Sequence, residues 1–225
     1  MANRDAPSGL RPVRRVSGLP LGAVQKVYIA VGDGTATFVG DVVKYADAGG
    51  AAGLRVQGED MEGVPTVIRA AIGDFDVVGT DNMMDILGVV VGFKPDPDNL
   101  MNKHRAASTA RIAYIQPLTQ DIVWEIQEDA DTTPITAAMI GLNVQLVQTQ
   151  TGSSTTGLSG MEVDSTTAAT TNTHPFKIIG LSKRVGNAFN TAGSGSDQAV
   201  LEVIVNSVGS FYTPVLETLV GGLAT

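Results

Sequence analysis

Cysteine is absent from this 225-residue chain, which excludes thiol catalysis, zinc-thiolate sites and a disulfide framework together. Long apolar runs are absent as well. The longest is ILGVVVGF, Ile86–Phe93, far short of the roughly 18–20 residues that span a bilayer. The N-terminus has arginines but lacks the apolar stretch that a secretory signal requires. We therefore expect a soluble protein with no export signal and no membrane partner.

Positive charge is scarce and unevenly placed. Residues 1–26 hold five basic residues and one acidic residue, a net charge of +4, whereas the remainder holds 10 basic and 22 acidic residues, a net charge of −12. No Lys or Arg occurs between Leu118 and Phe176. Because an acidic body repels nucleic acid, only the basic opening MANRDAPSGLRPVRR is suited to an acidic partner.

Signs of catalysis are also sparse. The two histidines, His104 and His174, are separated by 70 residues and are interpreted as surface or loop residues. The sequence VGDGT at 31–35 lacks the spacing of a dinucleotide fingerprint, and GLSG at 157–160 is not a nucleophile elbow. Aromatic residues make up 5% of the chain and do not alternate with basic ones, so no stacking platform for single strands is expected. We expect no enzyme activity and no cofactor.

Carboxylates cluster in two short segments. DPDN at 96–99 is interpreted as a turn, with a site for a hard cation as the alternative. Glu128, Asp129 and Asp131 are interpreted as a solvated turn, with a contact for a basic arm or a neighbouring molecule as the alternative. We therefore predict no metal site, and we place Trp124, on the apolar face of its strand, in the core.

The body has the pattern of a β protein. Apolar and polar residues alternate at 121–127, 142–146, 176–178 and 201–206, as in half-buried strands. Further strands are predicted at 24–31, 37–45, 66–72, 86–93 and 111–116, separated by turn residues. The fold class is mainly β: a small β-barrel, a β-tulip-like body or a sandwich.

The remaining segments have other patterns. Residues 133–141 predict a helix of about two turns, with Thr133 as cap and Pro134 in the first turn, and 214–220 predict a further turn. Residues 149–173, rich in Thr, Ser and Gly, predict a long surface loop, and 192–197 predict a turn. We divide the chain into an extended N-terminal arm (1–20), a body (21–206) and a C-terminal tail (207–225).

Several segments, in order, resemble a family of small virion structural proteins of tailed bacteriophages, especially marine and cyanobacterial phages. The opening MANRDAPSGLRPV resembles the family's start, and FVGDVVK at 38–44 its early F-x-G-D-x-V strand. ILGVVVGF resembles an "LGV" strand, and DIVWEIQ at 121–127 a "VFEVQ" segment. STTGLSGMEVD at 154–164 resembles a "TTGxSGxxLD" loop. IIGL at 178–181, followed by Asn187 and Ala188, resembles a late strand and "DNA" turn, with Gly186 in place of Asp.

The resemblance implies a capsid cement, or decoration, protein. Such proteins bind the outer surface of the major capsid protein shell, often as β-barrel or β-tulip trimers or dimers. We therefore expect location on the virion surface and a homo-oligomer, with a trimer favoured over a dimer. The tail after Asn206 departs from the family pattern, which puts the oligomer in doubt.

The proposed contacts fall in three places. The capsid-binding arm is predicted to use Arg4, Arg11, Pro12, Arg14 and Arg15. An interface loop is predicted at Thr155, Thr156, Leu158 and Met161, and an oligomer contact at Phe211 and Tyr212. Proline favours extended backbone, and arginine forms bidentate hydrogen bonds with carboxylates, so these residues suit an extended arm that binds an acidic surface. We therefore expect deletion of residues 2–15 to leave the body folded but to weaken its attachment to the shell. A disordered leader is the alternative.

Two other functions stay open. A head-fibre base or tail-associated virion protein would be present in few copies per particle, whereas a cement protein would be present in many. A non-viral β-barrel enzyme or small-molecule binder would need a cavity with convergent polar groups, and a solid apolar core would count against it.

Overall fold

A computed structural model describes residues 5–46, 64–75, 86–97, 99–129, 131, 133–148, 150–171, 173–189 and 198–206. The expectation of a mainly β fold is confirmed. The strands are β1 Arg11–Arg15, β2 Gln25–Ile29, β3 Val42–Tyr45, β4 Val67–Arg69, β5 Ile86–Phe93, β6 Arg111–Pro117, β7 Ile122–Gln127, β8 Asn143–Val147, β9 Glu162–Ala169, β10 Phe176–Leu181 and β11 Val200–Val205. None of the helices in these ranges is long and apolar enough to span a membrane.

The strands form two antiparallel sheets. One has six strands in the order β1-β7-β11-β10-β8-β9, and the other has five in the order β2-β6-β5-β3-β4. Single bridges connect strands that lie far apart in these orders: Tyr28 of β2 meets Thr66, just before β4, and Glu128, just after β7, meets Val163 of β9. Neither sheet closes into a barrel, and the arrangement is compatible with the sandwich among the predicted alternatives.

The main hydrophobic core lines one face of the six-stranded sheet. It includes Trp124, Phe176 and Leu201, all fully buried, so the prediction that Trp124 is a core residue is confirmed. Val42 and Val89 of the five-stranded sheet join the same core. The next residues along these strands, Val43 and Val90, belong to a second, smaller cluster, because successive residues of a strand point to opposite faces of the sheet.

The predicted helix at 133–141 is wrong in length. The chain forms only a short 3-10 helix at Ala137–Met139, and its cap position is Thr136, whose side chain makes no capping hydrogen bond. The preceding Ile135 is fully buried in the core, and its N–H is bound by a glutamate rather than by a helical turn. A second 3-10 helix, Ile72–Phe75, follows β4.

The long loop predicted at 149–173 is only partly irregular, because its second half is strand β9, paired with β8. This strand escaped prediction because its sequence, EVDSTTAA, has no apolar alternation. The N-terminal arm is extended at residues 11–15, but it is strand β1 of the six-stranded sheet. The turn at 192–197 and the tail at 207–225, including its predicted turn at 214–220, lie outside the described residues.

Candidate functional site

The basic N-terminal region, which the sequence singles out, is an edge of the six-stranded sheet. Strand β1 pairs antiparallel with β7, with Arg11 opposite Glu125 and Arg15 opposite Ile122, and the register shifts at Val13. Among the described residues, β1 is paired on one side only, because it is the first strand of the sheet. We call residues Arg11–Arg15 the basic edge.

The residues before the basic edge are attached to the body. Leu10 is 1% exposed and belongs to the main core, and its N–H donates to the carbonyl oxygen of Gly40 over 3.1 Å. The N–H of Ala6 donates to Oε1 of Gln127 over 3.1 Å. Deletion of residues 2–15 would therefore remove a core side chain and an edge strand, so we now expect it to destabilise the body as well as to weaken attachment.

The arginines of the basic edge bind carboxylates of the same chain. Arg14 Nη2 lies 2.6 Å from Oε2 of Glu202, and Arg15 Nε lies 3.8 Å from Oδ2 of Asp121. Half of the Arg14 side chain stays in solvent. Arg11 is exposed; it forms no ion pair within 4 Å among the described residues, but its charge helps to lower the pKa of Glu125, which it faces across the strands. Arg4 lies outside them, as do Phe211 and Tyr212.

Two glutamates lie beside each other under the basic edge. Glu125 on β7 is directly opposite Glu202 on β11, an arrangement that repels unless cations intervene. Arg14 neutralises Glu202, and Arg184 Nη2 lies 2.5 Å from Oε2 of Glu125. Burial alone raises the pKa of Glu125, but the hydrogen bonds from Arg184 and Ser182 lower it overall. The ionised form of Glu125 is thus favoured, and Glu202 ties the basic edge to the sheet through Arg14.

An apolar stretch continues from the basic edge toward β2. We call residues 18–24 the apolar linker; its sequence is GLPLGAV. Leu19 is 60% exposed and Val24 is 49% exposed, and Val16, just before the linker, is 61% exposed. Exposed side chains of this size, side by side along the chain and next to arginines, are typical of contact surfaces.

The loop that precedes β9 is bound tightly to the segment that precedes β3. Val39 N–H donates to the carbonyl oxygen of Gly157 over 2.9 Å, and Ser159 N–H donates to that of Val39 over 2.8 Å. The Asp41 carboxylate, fully buried, accepts from the Phe38 N–H over 2.8 Å and from the Ser159 hydroxyl over 2.5 Å. Burial raises the pKa of Asp41 to about 6, although the two hydrogen bonds act in the opposite direction and lower it.

Two glycines make this junction close. Gly9 has a φ of +65° and Gly40 a φ of +97°, a region that side-chain-bearing residues avoid. A Cβ on Gly9 would lie 2.4 Å from the carbonyl oxygen of Gly40. The junction, formed by Gly9, Gly40, Asp41 and Ser159, therefore joins three of the segments that carry the family resemblance. The sequence did not identify it.

The predicted interface loop divides into an exposed tip and a buried base. Thr155 and Thr156 are exposed, and the carbonyl oxygen of Thr155 accepts from Lys103 Nζ over 3.4 Å. Leu158 is half-buried and bridges to Val39. Met161 is 1% exposed and lies in the main core, so its side chain is not part of an interface. Only the tip can contact a partner.

The acidic segment after β7 is buried rather than solvated, which corrects its interpretation as a surface turn. Glu128 is 1% exposed, and its two carboxylate oxygens accept from the N–H groups of Ala199 and Ile135 over 2.8 and 2.5 Å. Burial raises the pKa of Glu128 to about 7 and also raises that of Asp129. Carboxylate oxygens of Asp129, Asp131 and Asp164 lie within 4.8 Å of one another, and Ser165 bonds two of these residues.

One cavity of about 310 Å³ opens between β2, β6 and the loop after β5. Its walls include Tyr28, Ile112 and Arg111. The Arg111 guanidinium donates to the carbonyl oxygens of Lys94, Asn102 and His104, so it is committed to holding the loop. The His104 ring stacks on Phe38 at 4.9 Å, and burial lowers its pKa.

Comparison with known protein families, with curated proteins and with solved structures finds no match for this chain.

Proposed function

We propose that this protein is a bacteriophage capsid cement protein that binds the outer surface of the major capsid protein and clamps neighbouring capsomers non-covalently. Support comes from the ordered resemblance to virion structural proteins and from a mainly β body. The observation that carries the proposal is the basic edge with its apolar linker. It presents Arg11, Arg14 and exposed apolar side chains on a chain whose remainder is strongly acidic.

The clamping surface is a rigid edge rather than a free arm. Because β1 is already ordered by β7 and by Leu10, binding costs little further conformational entropy. A shell repeats the same surface many times, so modest contacts gain from avidity when the protein is oligomeric. Arginine side chains grip carboxylates bidentately, which favours an acidic, partly apolar site on the capsid protein.

The test compares two charge reversals of equal size. Arg11→Glu reverses a charge of the basic edge and also places a second carboxylate opposite Glu125, so urea unfolding is used to check that the edge strand stays in place. Lys94→Glu changes an exposed cation beside the cavity. Each variant is mixed with shells that lack the protein, and the bound fraction is measured by sedimentation at several salt concentrations. We expect Arg11→Glu to weaken binding at least tenfold and Lys94→Glu to leave it unchanged. Equal binding by both variants would refute the basic edge as the clamp.

Copy number separates this role from a head-fibre base or tail-associated protein. Quantitative gels of whole particles compare the protein with the major capsid protein. A cement protein occurs at a copy number similar to that of the major capsid protein, because it covers the shell. A copy number that is a small fraction of it would replace the proposal with the fibre or tail alternative.

A further inference from the structure

We propose that the N-terminal segment, residues 5–16, exchanges between two copies of this chain, so that β1 of one copy pairs with β7 of its partner. The inference concerns the purified protein and does not depend on shell binding. It rests on where the segment makes its contacts, on the linker that follows it, and on the surface that the linker exposes.

The segment's contacts are with the body of the protein. Arg14 binds Glu202, 188 residues away, and Ala6 binds Gln127, 121 residues away. Val16 N–H donates to the carbonyl oxygen of Asp121 over 2.7 Å. Because the body supplies these partners, a second copy offers an identical set.

The connection to the rest of the chain is suited to exchange. Within the described residues, 19–24 form no backbone hydrogen bonds with any other segment. The linker's seven residues, fully extended, span up to roughly 23–25 Å, enough to cross to an adjacent molecule. The turn that starts the linker is closed by the bond from Gly18 N–H to the carbonyl oxygen of Arg15. Ser17 within this turn donates its N–H and its hydroxyl to the Asp121 carboxylate, and this contact too would be made to the partner.

Exchange between copies is more favourable than release of the segment into solvent. Leaving its place would open a hole where Leu10 is buried and would expose the unpaired edge of β7. The same segment of a partner copy would fill the hole and pair with the edge of β7, so the contacts would be restored. In the exchanged pair two apolar linkers cross between the copies, and contact between their exposed side chains, Leu19, Leu21 and Val24, would favour the pair.

The absence of cysteine permits a disulfide test without background thiols. Arg11 and Glu125 are direct cross-strand partners, and such pairs lie about 4.5–5.5 Å apart between Cα atoms, within the range of a disulfide. The double variant Arg11→Cys/Glu125→Cys is oxidised first. It should form a disulfide efficiently, and failure to form one would remove the β1–β7 pairing on which the proposal depends.

Exchange itself is read from a mixture. The single variants Arg11→Cys and Glu125→Cys, with tags of different mass, are unfolded together, refolded and oxidised. The matched control mixes Lys26→Cys with Tyr114→Cys, a cross-strand pair of β2 and β6 on the far side of the linker.

We expect several-fold more disulfide-linked heterodimer from the first mixture than from the control, increasing with protein concentration during refolding. Equal, low yields in both mixtures, with an efficient intrachain disulfide in the double variant, would overturn the exchange. Because no shells are present, this result leaves the cement function to be judged by sedimentation alone.

Discussion

Two segments that lack an apolar pattern, the N-terminal segment and the loop before β9, are both fixed to the body, but in different ways. The N-terminal segment is held on one side by β7, by a single core residue, Leu10, and by ion pairs with half-exposed arginines. The loop before β9 is held by buried hydrogen bonds to Asp41 and by Met161 in the core.

The difference shows which of the two segments has a surface that a partner molecule can bind. A segment bonded on one side keeps its other side for a partner, as β1 does. A loop whose base is interlocked leaves only its outer residues, Thr151 and 153–156, at the surface. The body thus supplies one extended edge and one narrow tip, and the edge offers far more surface to a capsid protein or a second copy.

The strongest way to break this comparison is to remove the core residue of the N-terminal segment. Leu10→Ala leaves a cavity in the main core, and we expect a loss of about 2–5 kcal/mol in the free energy of unfolding. Urea denaturation followed by tryptophan fluorescence of Trp124 measures it. Val13→Ala, on the exposed side of β1, is the control and should change stability by less than about 0.5 kcal/mol. Similar values for both would mean that Leu10 does not anchor the segment.

A glycine pair tests how the N-terminal segment and the loop share the junction. Gly9 and Gly18 both have positive φ, +65° and +74°, but a Cβ on Gly18 would meet nothing within 4 Å. Gly18→Ala should cost roughly 1–2 kcal/mol from backbone strain alone. Gly9→Ala should cost clearly more, because its methyl group collides with Gly40 and Ser159. Thermal unfolding of the two variants decides, and equal shifts would contradict the close approach.

These features show where sequence patterns succeed. Strand β5 was predicted to the residue, and β7 and β11 nearly so, because alternation reports directly on a half-buried strand. Strand β1 escaped because RPVRR pairs on one side only and turns arginines to the solvent. Leu10, just before β1, is a single apolar residue in a segment with proline and glycine. A single residue shows no periodic pattern, so the sequence does not predict that it is buried.

The acidic and junction residues escaped for a different reason. A run such as Glu128, Asp129 and Asp131 is ordinarily solvated, and only the fold brings the Ala199 N–H, 71 residues away, to Glu128. Asp41 likewise meets Ser159 across 118 residues. Burial of a charge depends on such distant donors, and a single sequence does not record them.

The buried carboxylates of Glu128 and Asp41 predict that the stability of the protein depends on pH. The pKa of Glu128 is raised from 4.5 to about 7, and that of Asp41 from 3.8 to about 6. The folded protein therefore holds protons that the unfolded chain releases, and their contribution to stability is complete below about pH 4 and is lost as pH rises through about 7. The slope is at most about 1.4 kcal/mol per pH unit for each proton.

Urea unfolding of wild type and Glu128→Gln across pH 4.5 to 8 isolates the glutamate. The wild-type stability should fall more steeply with rising pH than that of the variant, because the variant cannot release this proton. Arg14→Ala serves as the control, since the basic edge should leave the slope near neutral pH unchanged. Parallel curves for wild type and Glu128→Gln would show that Glu128 titrates alike in both states.

The smallest effect concerns the ion pair of Arg14 and Glu202. Partly exposed pairs contribute about 0.2–1 kcal/mol, and here Arg14 also compensates the charge of Glu202, which faces Glu125 across the strands and would otherwise repel it. A double-mutant cycle with Arg14→Ala and Glu202→Ala should give a coupling in the upper part of that range, weakened by salt. Arg11→Ala, which breaks no ion pair of the described chain, provides the control. A coupling of zero would mean that β1 is held by Leu10 and its ladder alone, which leaves Arg14 as free as Arg11 to bind a partner. A measurable coupling divides the two arginines: Arg14 positions the edge, and Arg11 remains the cation that an acidic surface would meet first.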